Sequence, residues 1–169
     1  MGFSADTLQD RVVIVTGASQ GIGRAIAVEC AHVGAHVVVC SRYIDVLEEM
    51  AAAIRAYGRR ALALACDVGD AAQVQYVVEQ TLMTFGHIDV LVNNAAYRSR
   101  GPLEDLPLDE WNAMVRINLT GQSDAAESGA AAGEPQPALD SAGVQKSICA
   151  TSKCNFQDGR EHPSGPVNE

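Results

Sequence analysis

Four apolar runs recur along the first two-thirds of the chain: RVVIVTG, HVVVCSR, RALALACD and IDVLVNN. Each is rich in Val, Ile, Leu or Ala throughout, with no polar residue on alternate positions. A strand of that kind has both faces buried, which is the condition of a parallel sheet covered by helices on either side. The intervening segments have helical spacing. Ile22 to His32 places Ile22, Ala25, Ile26 and Cys30 on one stripe. Ile44 to Tyr57 aligns Leu47, Met50, Ala51 and Ile54, and Val74 to Phe85 aligns Val74, Val77, Val78, Leu82 and Phe85. A further helix is expected near Leu108, with Asp109 at or beside its cap and Trp111, Met114, Val115 and Asn118 following. The alternation predicts an α/β fold, a Rossmann-like doubly wound parallel sheet. It is incomplete, with about four strands.

The sharpest local signal is TGASQGIGR, Thr16 to Arg24, set directly between the first apolar run and the first helical segment. Gly17 permits a tight turn out of the strand, while Gly21 and Gly23 let backbone N–H groups approach a pyrophosphate at the positive end of the helix. The spacing is G-x-x-x-G-x-G rather than G-x-G-x-x-G. A plain loop is the bland alternative, and the placement between strand and helix favours a nucleotide site. At the end of the second run stand Ser41 and Arg42, where an acid would hold a ribose 2′-hydroxyl or an arginine a 2′-phosphate. No Asp or Glu occurs at positions 40–42, so Ser41 and Arg42 favour NADP over NAD. The alternative for Arg42 is an exposed residue at a strand end.

The order of motifs resembles the short-chain dehydrogenase/reductase family over about Leu8 to Gly121. TGASQGIG is followed by Asp67-Val68 after the third run, Asn93-Asn94-Ala95-Ala96 after the fourth, and Asn118 in INLTG. The resemblance implies a cofactor site formed by Gly17, Ser19, Gln20, Gly21, Ile22, Gly23, Ser41, Arg42, Asp67, Val68, Asn94, Ala95 and Ala96. It implies that Asp67 accepts from the adenine amino group and that Val68 lines that pocket. Asn94, Ala95 and Ala96 would pass along the adenosine ribose, and Asn118 would order a water in a proton relay. The alternatives are a strand-end turn for Asn93-Asn94 and, for Asn118, a side chain satisfied by nearby backbone.

The family transfers hydride between a nicotinamide and a small carbonyl or alcohol, using a tyrosine acid, a lysine four residues on and an upstream serine. All four tyrosines here, of which Tyr97 is the last, precede Asn118, so no Y-x-x-x-K follows it. Lys153 in ICATSK is only a faint echo, with Ile148 where a tyrosine would stand. Loss of a general acid costs about 10²–10⁴-fold in rate. The chain is therefore expected to have low activity or none.

Composition places a seam at the same point. Residues 1–121 carry 14 acids and 9 basic residues, every one of the latter Arg, whereas both lysines, Lys146 and Lys153, lie in residues 122–169. Those 48 residues hold five large apolar side chains: Leu139, Val144, Ile148, Phe156 and Val167. So few cannot offset roughly 1–2 kcal/mol of backbone entropy per residue, which predicts a disordered tail apart from an Ala-rich turn near Ala125–Ala132. The expected organisation is a truncated NAD(P)-binding domain over 1–121 and a low-complexity tail over 122–169, the product of truncation or a frame shift.

A net charge of −9 argues against nucleic acid and anionic membrane partners. The N-terminus MGFSADTLQD has neither the basic nor the apolar region of a signal peptide, and Asp6 stands where a myristoylation motif wants Ser or Thr. A cytoplasmic location is expected. Five cysteines, Cys30, Cys40, Cys66, Cys149 and Cys154, form no C-x-x-C pair and read as structural thiols, and no metal site is expected. His32 and His36 are separated by Gly34 and share no helical face. Two other accounts stay open: a non-catalytic nucleotide-binding or regulatory module, and a polypeptide that does not fold stably. An uncovered last strand also predicts self-association, in the simplest case as a homo-oligomer.

Overall fold

The computed structural model describes residues 7–132. The elements run β1 (Val12–Thr16), α1 (Gly21–His32), β2 (His36–Ser41), α2 (Ile44–Ala56), β3 (Ala61–Ala65), α3 (Ala71–Phe85), β4 (Val90–Val92), α4 (Leu108–Val115) and α5 (Gly121–Ala132). A π-helical turn, Arg116–Thr120, joins the last two into one long rod. The four strands are parallel in the order β3-β2-β1-β4. The chain winds outward from β1 to β3, then crosses back over β1 to lay down β4.

Alternate residues of each strand serve opposite layers, as the strand period requires. Val13, Val15, Val37 and Val39 pack against Ala27 and Ala31 of α1 and against Leu47, Met50, Ala51 and Ile54 of α2. Val12, Ile14, Val38, Cys40 and Leu64 face Val74 and Val77 of α3 together with Ile117 and Ala125. Two layers with helices on both sides are what uniformly apolar strands demand. The helical stripe expected for α2 is buried in full.

At the amino ends of the strands, Asp89 fixes the return of the chain. Its Oδ2 accepts the Val12 N–H at 2.7 Å and its Oδ1 accepts from the Arg11 guanidinium at 2.7 Å. This sets the register of β4 beside β1. The helix expected from Val74 begins three residues earlier, at Ala71, because Asp70 caps it. The Asp70 carboxylate accepts the N–H groups of Ala72 at 3.0 Å and Gln73 at 3.3 Å.

Two helical faces differ from the expected ones. On α1 the buried residues are Gly23, Ala27 and Ala31; of the expected stripe Ile26 and Cys30 are half-buried against the same core, while Ala25 is exposed and Ile22 is 74% exposed. No side chain of α4 is buried; Trp111 and Val115 lie outside, and the covered stripe is Ile117, Gly121 and Ala125. In both cases the small residues face inward because the helix backbone lies close on the sheet or its loops. A Cβ on Gly121 would stand 1.9 Å from the Val68 carbonyl oxygen. Asp109 lies in the first turn of α4 and is not its cap; Pro107 holds that place with no side-chain bond.

The helix α5 runs across the boundary expected between residues 121 and 122, and the Ala-rich turn expected at Ala125–Ala132 is part of it. Its composition, Ala-rich and without Pro, suits a helix, and Asn93 Nδ2 ties its start to β4 by donating to the Gln122 carbonyl at 3.1 Å. The rest of the expected disordered tail, with Lys146, Cys149, Lys153 and Cys154, falls outside the described residues. Among the described residues no helix is long and apolar enough to cross a membrane.

Candidate functional site

The loop from Gly17 to Gln20 and the turn from Asn93 to Tyr97 leave β1 and β4 side by side. This is the point where strand order reverses, and a doubly wound sheet opens a crevice there. The Thr16 hydroxyl closes the base of that crevice. It donates to the Val92 carbonyl at 3.2 Å and accepts the N–H groups of Asn94 and Ala95, each at 3.0 Å. Asn94 Nδ2 donates back to the carbonyls of Thr16 at 3.0 Å and Gly17 at 3.2 Å. Thr16 is thus a hub that motif reading passed over, although it is the last residue of the first apolar run and carries a hydroxyl at a buried strand end.

These bonds separate the roles of the three glycines. A Cβ on Gly17 would stand 2.7 Å from the Ala95 Cα, and one on Gly23 would stand 2.3 Å from Asn94 Nδ2 and 2.6 Å from the Gly17 carbonyl oxygen. Both are therefore required by the close approach of loop, helix and turn. Gly21 differs. It has φ of 57°, and a Cβ there would meet nothing within 4 Å. Its backbone borders open space.

Beside Gly21 the start of α1 is uncapped. Gln20 is extended, its side chain makes no capping bond, and the first turn contains no acid. The opening N–H groups of a helix without such a cap remain free for an anion, and the helix dipole favours one there. The contrast with α3, where Asp70 fills that role, is direct. Ser19 is half-buried in the loop, while Gln20 and Ile22 are exposed at its mouth.

The other expected residues surround the same end of the sheet. The Ala18 N–H donates to the Cys40 carbonyl at 3.2 Å, and the Cys66 N–H to the Ser41 carbonyl at 2.8 Å. Ser41 is buried, its hydroxyl accepting the Tyr43 N–H at 3.1 Å, and Arg42 projects into solvent 5.7 Å from the centre of the Tyr43 ring. Asp67 Oδ1 accepts the Gly69 N–H at 2.9 Å, its Oδ2 faces Arg116 Nη2 at 3.6 Å, and Val68 is buried beside it. Ala96 is exposed on the turn.

The Asn118 side chain is spent on backbone. Its Oδ1 accepts the Tyr97 N–H at 2.8 Å and its Nδ2 donates to the Tyr97 carbonyl at 2.7 Å. Gln122 Nε2 adds a bond to the Ala95 carbonyl at 3.3 Å. The expected residues are therefore drawn to one end of the sheet, and Asn118 holds the wall of the crevice with both side-chain functions engaged.

Cys40 and Cys66 lie on the second face beneath this region. The Cys40–Cys66 hydrogen bond and burial push the Cys40 thiol well above its usual range, while the same bond lowers that of Cys66. Among the described residues, no three His, Cys, Asp or Glu side chains are placed to share a metal.

The family model for short chain dehydrogenases matches residues 11–132. The chain belongs to the short-chain dehydrogenase family. A related family member, versicolorin reductase 1 of Dothistroma septosporum, is 39% identical over 116 residues, which is 68% of this chain and 44% of that protein. D-threitol dehydrogenase of Mycolicibacterium smegmatis is 39% identical over 114 residues, again 68% of this chain and 44% of the relative. Among solved structures, a short-chain dehydrogenase from Burkholderia cenocepacia in complex with NADP superposes with a TM-score of 0.71 at 37% identity, covering 73% of this chain and 51% of that one. The chain thus spans about half the length of the short-chain dehydrogenases it matches. The family match extends through α5 and ends where the described structure ends.

Proposed function

We propose that this chain binds a nicotinamide dinucleotide across the carboxyl ends of β1 and β4, as the cofactor half of an NAD(P)(H)-dependent oxidoreductase. The observation that carries the reading is the uncapped start of α1 beside Gly21, whose backbone is left open while Gly17 and Gly23 are packed shut. In this reading the diphosphate rests on the N–H groups of Ser19 to Ile22. Asp67 and Val68 take the adenine, and Asn94, Ala95 and Ala96 border the adenosine ribose. When bound, the nicotinamide carries the hydride. The chain's own contribution is to hold the dinucleotide through Thr16, the glycine loop and the Asn93–Tyr97 turn.

NADP is the preferred form. The absence of an acid at positions 40–42 and the free reach of Arg42 support it, because a carboxylate there would repel a 2′-phosphate. The NADP complex of the Burkholderia relative is consistent with that choice. A carbonyl or alcohol is the substrate class that the family suggests.

A second reading, a binding module without turnover, draws on one observation: every tyrosine of the sequence lies before Asn118. The residues of this sequence after Asn118 offer no phenol and lysine pair of the family's kind to deliver a proton to a carbonyl oxygen. Titration of the purified chain with NADPH and NADH, followed by Trp111 quenching or calorimetry, tests binding. Turnover of simple ketones tests catalysis. We expect NADPH to bind more tightly than NADH and ketones to be reduced slowly or not at all. No heat with either dinucleotide from cooperatively folded protein overturns the reading.

The thiols of Cys30, Cys40 and Cys66 support a reducing, cytoplasmic setting. The short edge strand β4 and the exposed Leu108, Trp111 and Leu119 support self-association, which light scattering measures.

A further inference from the structure

The π turn brings to the adenine end a side chain that no motif announces. Arg116 reaches back from Arg116–Thr120 to the loop after β3, where its Nη2 lies 3.6 Å from Asp67 Oδ2. Its guanidinium lies over Gly69: a Cβ on that glycine would fall 2.1 Å from Nη1 and 2.7 Å from Cζ. The contact therefore depends on residue 69 having no side chain.

Arg116 faces an acidic corner. Asp67 stands at the loop, and Asp70 follows it at the cap of α3. The Asp70 carboxyl is held below its usual range, chiefly by hydrogen bonds from the Gln73 side chain and backbone, with a smaller contribution from Arg116. A polyanionic ligand that places its adenine against Asp67 has to approach these two carboxylates on a chain of net charge −9. Without a cation the corner would repel it.

We propose that Arg116 is the counter-charge of the adenine end, a positioning residue that neutralises Asp67 and lets that carboxylate face a phosphorylated ligand. The proposal rests on the dinucleotide reading above. At 3.6 Å the pair is a coulombic contact rather than a short hydrogen bond. Asp67 Oδ1 is already taken by the Gly69 N–H, so Oδ2 keeps a lone pair for the base amino group. The same arginine ties the π turn to the adenine loop, linking the rod that carries Asn118 to the far end of the crevice.

The test is calorimetric titration of the full chain with NADPH and NADH at low and high ionic strength. Arg116→Gln should weaken NADPH binding about tenfold at low salt and NADH binding less. The loss should shrink as salt screens the two carboxylates. Arg116→Lys should stay within about twofold of the parent, since charge rather than the guanidinium fork is what counts. Adding Asp67→Asn to Arg116→Gln should recover part of the lost NADPH affinity, a coupling that a purely structural role would not produce. A cooperative melt of each variant confirms that folding is intact.

Equal losses for both dinucleotides at both salts, or strictly additive effects of Asp67→Asn and Arg116→Gln, overturn the proposal. An unchanged Kd in Arg116→Gln overturns it alone and leaves dinucleotide binding standing. No binding by the parent chain overturns the dinucleotide reading and this inference with it.

Discussion

Asn118 and Tyr97 exchange two hydrogen bonds, one in each direction, so that a single side chain closes both polar groups of one peptide residue. The pair joins the π turn to the turn after β4. Replacing Asn118 with Ala leaves the Tyr97 N–H and carbonyl without these partners. Each partly buried orphan costs about 1–3 kcal/mol, moderated here by access of water. Chemical denaturation of Asn118→Ala should show a loss of about 1–3 kcal/mol at unchanged m-value, with the dinucleotide affinity of the folded fraction changing less. A stability equal to the parent's would mean that the turn is held by other contacts.

The glycines predict a contrast. Gly23→Ala places a methyl within 2.6 Å of the Gly17 carbonyl oxygen, a backbone atom that cannot swing away. Overpacking of that kind costs about 1–3 kcal/mol. Gly21→Ala meets no atom, and its penalty is the left-handed φ of 57°, about 1–2 kcal/mol. The two variants should lose comparable stability. In ligand binding they should part, because only residue 21 borders the open crevice. A Gly21→Ala chain whose loss of NADPH affinity is no greater than that of Gly23→Ala would contradict this division.

The strands and the α2 stripe were legible because large β-branched and aliphatic residues mark them, and Leu47, Met50, Ala51 and Ile54 are buried as their spacing requires. The stripes of α1 and of the rod from Leu108 were legible only in part: Ile26 and Cys30 rest on the core, and Met114 and Asn118 are half-buried. There the close approach of backbone selects Gly23, Ala27 and Ala31, or Gly121 and Ala125, and leaves Ile22 and Trp111 outside. A reading that ranks residues by hydrophobic size misses the centre of the packed face when that centre is made of small ones. The glycine loop and the Asn93-Asn94 turn could be found from sequence because their spacing is local. Thr16 and Arg116 could not, since their partners lie more than 45 residues away along the chain.

Thr16 offers the cleanest test of the crevice. Thr16→Val keeps the shape and removes the hydroxyl that accepts from Asn94 and Ala95 and donates to Val92. The Ala95 N–H then loses its acceptor in a largely enclosed place, for about 1–3 kcal/mol, while the Asn94 N–H keeps the Val92 carbonyl at 3.1 Å. Thr16→Ser keeps the oxygen and should cost less than about 1.5 kcal/mol, the loss of one methyl group with its packing. Urea unfolding of the three proteins ranks them. Equal stability of the Val and Ser variants would remove the hydroxyl from the account.

The amino end of the sheet predicts a pH dependence. His36 Nδ1 accepts the Arg60 N–H at 3.2 Å, its ring stacks on Phe85, and the Arg60 guanidinium covers the same Phe85 ring at 4.4 Å. Burial lowers the His36 pKa below its ordinary value. Arg60, Arg59 and His87 push the same way, and Asp10, whose Oδ1 lies 3.9 Å from Nε2, opposes them. The folded protein thus favours the neutral ring, which alone can accept at Nδ1, while the unfolded chain takes up a proton near pH 6.5. In the window below that value the unfolded state binds more protons. The stabilisation is therefore complete above about pH 6.5 and is lost as pH falls through it toward the folded pKa. Melting temperatures should fall between pH 7.5 and 5.5, and more steeply in the parent than in His36→Gln, which has no ring to protonate. Equal slopes in the two proteins would assign the pH dependence to groups other than His36.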